Sequence, residues 1–436
     1  MTDSILSFTP SSLLNFLFAF TLLAGLVLKF WLSSRQIGCV ARHRDQVPLA
    51  FAHTITLSAH QKAADYTVAK VRFGMLELAL GAALLLGWTL FGGLSILNQT
   101  LLHWLGGGMP QQIALLAAFA LISAVFDLPL TWYQTFVIEQ RFGFNQMTLT
   151  LWLLDLFKSS LIGVLIGLPL AALILWMMGA AGTAWWLWAW GVWMSFSLLL
   201  LLIYPTFIAP LFNKFTPLKD EELRARVTAL MLRCGFAAKG LFVMDGSKRS
   251  AHANAYFTGF GAGKRVVFYD TLLAKLSTGE VEAVLAHELG HFKHKHILKR
   301  MASMFALSLL GFALLGWLAT RTWFYAGLGV QGNLGAPNDA LALLLFMLAL
   351  PVFSFFVTPL FAHFSRKHEF DADAYAVSQA NGQDLANALL RLYEDNAATL
   401  TPDRLYVKFY YSHPGASERL ARIANRQLVL DGTSPT

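Results

Sequence analysis

A chain of 436 residues is long enough for two or three soluble domains, yet 56% of its residues are hydrophobic, only 13% are charged, and the mean hydropathy is +0.54. Soluble domains carry about twice that share of charge, so much of this surface is expected never to meet water, and secreted, disordered and collagen-like classes are excluded. The formal charge of +8 does not point to nucleic acid, because Lys and Arg flank apolar runs instead of forming one basic block. Two isolated cysteines, Cys39 and Cys234, suit neither a disulfide framework nor a cysteine-held metal, so any metal has to be held by His and carboxylates.

Seven apolar segments approach the roughly 20 residues that cross a hydrocarbon core. They lie at 12–32, 73–97, 113–134, 159–180, 184–204, 301–320 and 339–362. The first is expected to stay as a span, since Asp3 and no Lys or Arg precede it, unlike a signal peptide. Basic residues are one-sided. Arg35, Arg42, Arg44, Lys62, Lys70 and Arg72 follow span one, Arg141 follows span three, Lys158 opens span four, and Lys293, Lys295, Lys299 and Arg300 precede span six. The opposite short loops hold only Arg321, which predicts the N-terminus outside and the C-terminus inside. Trp185, Trp186, Trp188, Trp190 and Trp193 would then lie at the outer interface. The expected fold is a mainly α-helical polytopic membrane protein with seven transmembrane helices. Residues 1–204 form the membrane region with spans one to five, 301–362 a transmembrane hairpin, and 205–300 and 363–436 two cytosolic parts of one unit.

Within 205–300, Leu241–Val243, Ala251–Phe260 and Arg265–Tyr269 have strand character, the last two joined by a turn from Gly259 to Lys264, and a small antiparallel sheet is expected. Ser277 and Glu280 have capping-box spacing ahead of a helix that is predicted to run on towards span six. That helix contains His287-Glu288-Leu289-Gly290-His291. Residues i and i+4 share a helix face, so both imidazoles reach one Zn2+, while Glu288 is angled towards the attacking water.

Catalytic zinc takes three protein ligands and keeps one position open. Candidates for the third are His294, His296, His363, His368, Glu369, Asp371, Asp373 and His413. Glu369 is preferred because Asp373, one helical turn on, is placed to orient a ligand imidazole from behind. His294 and His296, on a basic stretch, are read as solvated or interfacial.

The chain resembles the integral-membrane CAAX prenyl proteases of the type that also matures the yeast mating a-factor, from span one to about Leu420. The resemblance rests on an ordered set of stretches: Glu139 to Asn145 (EQRFGFN), Ala209 to Phe215 (APLFNKF), Ser250 to Tyr256 (SAHANAY), HExxH, Glu369 with Asp373, and Ser412-His413-Pro414 ahead of Arg419. It implies one zinc ion held by His287, His291 and Glu369, Glu288 as general base and acid, and His413 as a donor to the oxyanion. It also implies a zincin-like cytosolic unit and seven helices enclosing a water-filled chamber. His413 has a second reading as a cap of the helix that follows, and Arg419, a candidate substrate contact, is equally readable as a structural ion-pair partner.

An edge strand that pairs with an extended substrate makes Asn254, Ala255 and Tyr256 candidate substrate-binding residues. Asn254 and His252 are alternatively residues that end or bulge a strand. Glu77 and Asp127 lie in apolar spans and are expected to face a wet interior, whereas Lys29 is expected to snorkel to the interface.

The resemblance implies substrates with a C-terminal prenylated cysteine, cut before the last three residues. The short outer loop at 321–338 and the lack of a C-terminal lysine-type retrieval signal suit a protein of the bacterial cell membrane, with the endoplasmic reticulum as the eukaryotic counterpart. A bacterial cell makes no farnesylated CAAX protein, so a quality-control protease for membrane proteins is a second reading. A transporter or scaffold with a vestigial zinc site is a third. Peptide substrate and lipid bilayer are the expected partners, and nucleic acid is not.

Overall fold

A computed structural model describes residues 9–258 and 264–430. In chain order come α1 (Pro10–Arg42), α2 (Leu57–Trp88), α3 (Gly93–Leu105), α4 (Met109–Tyr133), α5 (Leu149–Ala180), α6 (Trp185–Ile203) and α7 (Ala209–Phe212). A mixed stretch follows: β1 (Phe215–Pro217), α8 (Glu221–Arg233), β2 (Gly240–Met244), β3 (Ala255–Thr258), β4 (Arg265–Tyr269), α9 (Asp270–Leu273) and α10 (Thr278–Lys293). The chain then continues through α11 (His296–Leu318), α12 (Thr322–Gly327), α13 (Asp339–Ser354), α14 (Thr358–Gln379), α15 (Gly382–Asp395), α16 (Arg404–Tyr410) and α17 (Ala416–Leu430). Among the described residues, seven helical runs are long and apolar enough to cross a membrane.

Helix starts are written locally. Thr9, Thr56 and Thr148 each cap a spanning helix, the hydroxyl accepting a backbone N–H three residues on at 3.2 Å. Ends depart from the sequence reading. The second span does not continue to residue 97: α2 stops at Trp88, Gly92 takes φ +79, and α3 starts afresh. The apolar run hid this turn because the turn residues Leu90 and Phe91 are as hydrophobic as the helices around them. π-helical turns at Gln134–Glu139 and Tyr204–Ile208 lengthen α4 and α6, the second around Pro205, whose missing N–H cannot keep the α-helical ladder.

The membrane helices pack unevenly along their length. In the hydrophobic windows of the first six runs only 6 to 17% of residues are buried, against 39% in the seventh. Well-buried contacts gather instead in a cluster containing Phe18, Leu94, Leu115, Leu175, Trp185, Leu328, Leu341 and Leu345. Trp185 is part of this core, while the Trp190 indole N–H donates to the Phe305 carbonyl at 3.1 Å and ties α6 to α11. The Lys29 ammonium lies 4.5 Å from the Phe355 ring centroid, a cation–π contact between α1 and the turn that follows α13. Asp127 is exposed and Glu77 half-buried.

The sheet is mixed, not antiparallel. Its order is β1-β2-β4-β3, with β2 and β4 parallel and the outer pairs antiparallel. β4 takes a central place because Val266, Val267 and Phe268 are buried in succession, the pattern of a strand covered on both faces. β3 is left as an edge. It begins at Ala255, so Asn254 immediately precedes it, and residues 259–263 of the expected turn lie outside the described residues. One core, including Val227, Phe268, Leu285, Leu289, Ala376, Leu385 and Ile423, draws on both sides of the α11–α13 hairpin.

Candidate active site

The HExxH helix is set by its first turn. The Ser277 hydroxyl accepts the Glu280 N–H at 3.4 Å and the Glu280 carboxylate accepts the Ser277 N–H at 2.7 Å, a complete capping box. Three turns on, His287 and His291 present their Nε2 atoms to each other at 3.3 Å. Packed across them is α14, and Gly290 permits the approach: a Cβ there would stand 2.9 Å from the Ala372 Cα. Glu369, one turn before Ala372, then reaches both rings, with Oε2 3.5 Å from His287 Nε2 and Oε1 3.4 Å from His291 Nε2.

These separations test the metal assignment. Zinc bonds of about 2.0–2.2 Å at tetrahedral angles place donor atoms about 3.3–3.5 Å apart. The three observed distances fall in that range, and Glu369 Oε2 is buried without a hydrogen-bond partner, so a cation would satisfy it. Burial alone would lower the His287 pKa, but the Asp373 and Glu369 carboxylates more than offset it and hold it up at about 9. His287 is thus held in a negative cradle that favours a proton or a metal. Glu288 is half-buried, and burial chiefly raises its carboxyl pKa.

Behind the first imidazole, His287 Nδ1 donates to Asp373 Oδ1 at 2.8 Å, so its Nε2 lone pair faces the centre. Arg419 completes this arm. It is buried, with Nε 2.9 Å and Nη2 2.6 Å from the two Asp373 oxygens and Nη1 3.9 Å from Glu369. This placement is that of an ion-pair partner.

His413 comes to the open side, its Nε2 3.6 Å from Glu369 Oε1 and its side chain 61% exposed. The Ser412 hydroxyl sits 2.9 Å from His413 Nδ1; when it donates there, the ring proton is on Nε2, facing the centre. The segment is pinned to α14 by Arg366, which donates to the Val407 and Tyr411 carbonyls at 3.0 and 2.8 Å. It is pinned to α1 by Arg35, 2.8 Å from Asp403.

Along β3 the side chains alternate. Ala255 is buried in the core beside α10, and Tyr256 lines a small cleft with Tyr204, Phe215 and Phe242 on the other face. Asn254 is exposed, and its carbonyl accepts the Tyr269 N–H at 3.0 Å. His363 and His294 are exposed.

His296 corrects the sequence reading. It is only 4% exposed, not solvated, because the expected continuous helix breaks at His294 and Lys295 takes φ +56. That left-handed residue swings His296 back under α10, to 3.1 Å from His291 Nδ1. Gly290 is a contributor that residue patterns did not single out, and His296 stands among them only as a candidate third ligand. The small Gly290–Ala372 pair is a recognisable signal only once the helices are known to cross.

A family model described as CAAX prenyl protease N-terminal, five membrane helices, matches residues 36–214, and that of peptidase family M48 matches residues 217–427. CAAX prenyl protease 1 of Saccharomyces cerevisiae is 38% identical over 326 residues, 72% of each chain. The chain belongs to the CAAX prenyl protease 1 family. The probable CAAX prenyl protease 1 of Schizosaccharomyces pombe is 31% identical over 406 residues, covering 90% of this chain and 85% of that protein. The crystal structure of S. mikatae Ste24p superposes with a TM-score of 0.87 at 30% identity, over 94% of this chain and 99% of its own. As a CAAX prenyl protease 1 homologue the chain is a multi-pass membrane zinc metalloprotease acting on peptide substrates, as the ordered motifs implied.

Proposed function

We propose that one Zn2+ is held by His287, His291 and Glu369, and that the chain cuts a peptide bond near the C-terminus of prenylated or other membrane-associated substrates. The observation that carries the metal assignment is the set of donor separations, 3.3 Å between the two Nε2 atoms, 3.5 Å from His287 Nε2 to Glu369 Oε2 and 3.4 Å from His291 Nε2 to Glu369 Oε1, with Oε2 buried and lacking a hydrogen-bond partner. Zinc, when bound, supplies the charge that polarises the scissile carbonyl and acidifies a water molecule. Glu288, next to His287 on the same helix, takes the proton of the attacking water and delivers it to the leaving amine. Asp373, clamped by Arg419, keeps the His287 proton on Nδ1 and the ring in its ligating orientation. His413 Nε2–H donates to the carbonyl oxygen as it becomes negative, a contribution of about 2.7–4 kcal/mol if it acts as other oxyanion donors do. The free edge of β3 takes the extended substrate backbone, with Asn254 as a side-chain contact, and Tyr256 faces the adjoining cleft.

The sparse burial of the spanning helices supports an interior space between them where Glu77 and Asp127 meet water. The one-sided basic loops support an outside N-terminus and a cytosolic site, with the protease unit formed by 205–300 and 363–436, and the short outer loop at 321–338 suits a bacterial cell membrane. The names of the relatives support a prenylated CAAX substrate.

Glu288→Gln tests the mechanism: purified protein is expected to keep one zinc per chain and to lose about 10²–10⁴-fold in kcat. A zinc-loaded variant with wild-type turnover would end the assignment. Cleavage of one CAAX peptide with and without its prenyl group tests the substrate class, and equal rates would remove prenyl recognition.

A further inference from the structure

Each imidazole of the site has a second nitrogen, and the two are treated differently. His287 spends Nδ1 on Asp373. His291 has its Nε2 turned to His287 and Glu369, so its Nδ1 carries the proton and requires an acceptor. The atom it meets is His296 Nδ1, at 3.1 Å. His296 must then be unprotonated on Nδ1 and carry its proton on Nε2. That Nε2 is buried with no hydrogen-bond partner, and the nearest carboxylate oxygen facing it is Asp371 Oδ2, 3.8 Å away. The ring is held flat by His368, stacked at 3.9 Å between centroids and 14° between planes, with His294 5.5 Å from it.

We propose that His296 is a positioning residue for the metal site, forming with Asp371 a relay in which His291 Nδ1–H donates to His296 Nδ1 and His296 Nε2–H points to Asp371. The residue acts through His291 and touches neither metal nor substrate. The helix break at Lys295 is the backbone device that makes the contact, since a straight helix would place residue 296 more than a full turn beyond His291. Asp371 and Asp373 thus divide the support of the two imidazoles, two residues apart on α14. The inference rests on the reading of His287, His291 and Glu369 as ligands.

Full-length, detergent-purified protein tests it with three variants: His296→Ala, His296→Asn and Asp371→Asn. Zinc content and the half-time of zinc release to a chelator are measured, together with thermal unfolding of each metal-free form. His296→Ala is expected to weaken zinc retention about 10–100-fold, the usual effect of removing a partner behind a ligand imidazole. His296→Asn puts an amide oxygen close to the place of Nδ1, so it should recover much of the loss. Asp371→Asn should fall between His296→Asn and wild type, with the metal-free melting temperatures alike. Unchanged zinc release in His296→Ala would overturn the proposal. So would equal loss in Ala and Asn variants accompanied by a lowered metal-free melting temperature, which is the signature of packing. Absence of zinc from the wild-type protein would instead overturn the metal-centre reading, and the relay with it.

Discussion

The two helices that meet at the site reach it by opposite routes. α10 is a soluble helix, capped by Ser277 and Glu280, whose Ala283, Leu285, Ala286 and Leu289 are buried in the protease core. α14 starts as the end of a membrane run: Leu360, Phe361 and Phe364 are about half exposed, whereas Glu369, Ala372, Asp373 and Ala376 are all buried. One helix therefore changes surroundings along its length, and the carboxylates lie just beyond the change. The contrast shows where the site is vulnerable: α10 carries its chemistry within little more than one turn of one helix, His287 to His291, but α14 delivers Glu369 only if its crossing with α10 and its ion pair are intact.

The sharpest way to break this contrast is to act on the α14 side without touching a ligand. Arg419→Leu leaves the Asp373 and Glu369 carboxylates facing each other without their buried counter-charge, and truncating one partner of such a pair costs about 3–5 kcal/mol. Thermal unfolding should report that loss. An unchanged melting temperature would mean that α14 is held by packing alone.

A smaller effect is expected at the crossing. Gly290→Ala adds a methyl 2.9 Å from the Ala372 Cα and 3.2 Å from the Tyr375 Cβ, backbone and near-backbone atoms that cannot swing away. Overpacking of this kind costs about 1–3 kcal/mol, and here it also moves Glu369 away from the imidazoles, so chelator-resistant zinc should fall along with stability. Zinc retention at the wild-type level would show that the crossing has slack.

The mildest test is pH. In the metal-free protein His287 is held protonated up to about 9 by Asp373 and Glu369, so metal uptake must displace that proton. Apparent zinc affinity should therefore rise as pH increases towards 9 and level off above it, as read by competition with a pH-insensitive dye. A flat profile between pH 7 and 9 would mean that the two carboxylates do not govern the imidazole.

What was legible in the residues follows the range of the interactions concerned. HExxH, the capping box and the i, i+4 pair Glu369 and Asp373 are local, and each is found in the fold at its expected place. The spanning helices were legible because length and hydropathy are also local properties. Other outcomes were not legible, either because a neighbour distant in sequence set them or because a local backbone break left no residue pattern. β2 pairs parallel with β4 because β4 is the strand best able to be covered on both faces. Trp185 packs among Leu94, Leu175 and Leu341, partners from other helices. The burial of His296, expected to be solvated or interfacial, follows from the break at Lys295, which leaves no mark in a basic stretch.

By itself the sequence determined that the chain spans a membrane repeatedly and which residue types stand ready for a His, His, Glu metal site. Periodicity, apolar length and short spacings are written into consecutive residues, and they survive any tertiary arrangement. Only the folded chain decided that Glu369 meets His287 and His291, that Arg419 is spent on Asp373, and that His296 stands behind His291. Those contacts join residues from α10, α11, α14 and α17, and they arise from how closely helices can approach where Gly290 faces Ala372.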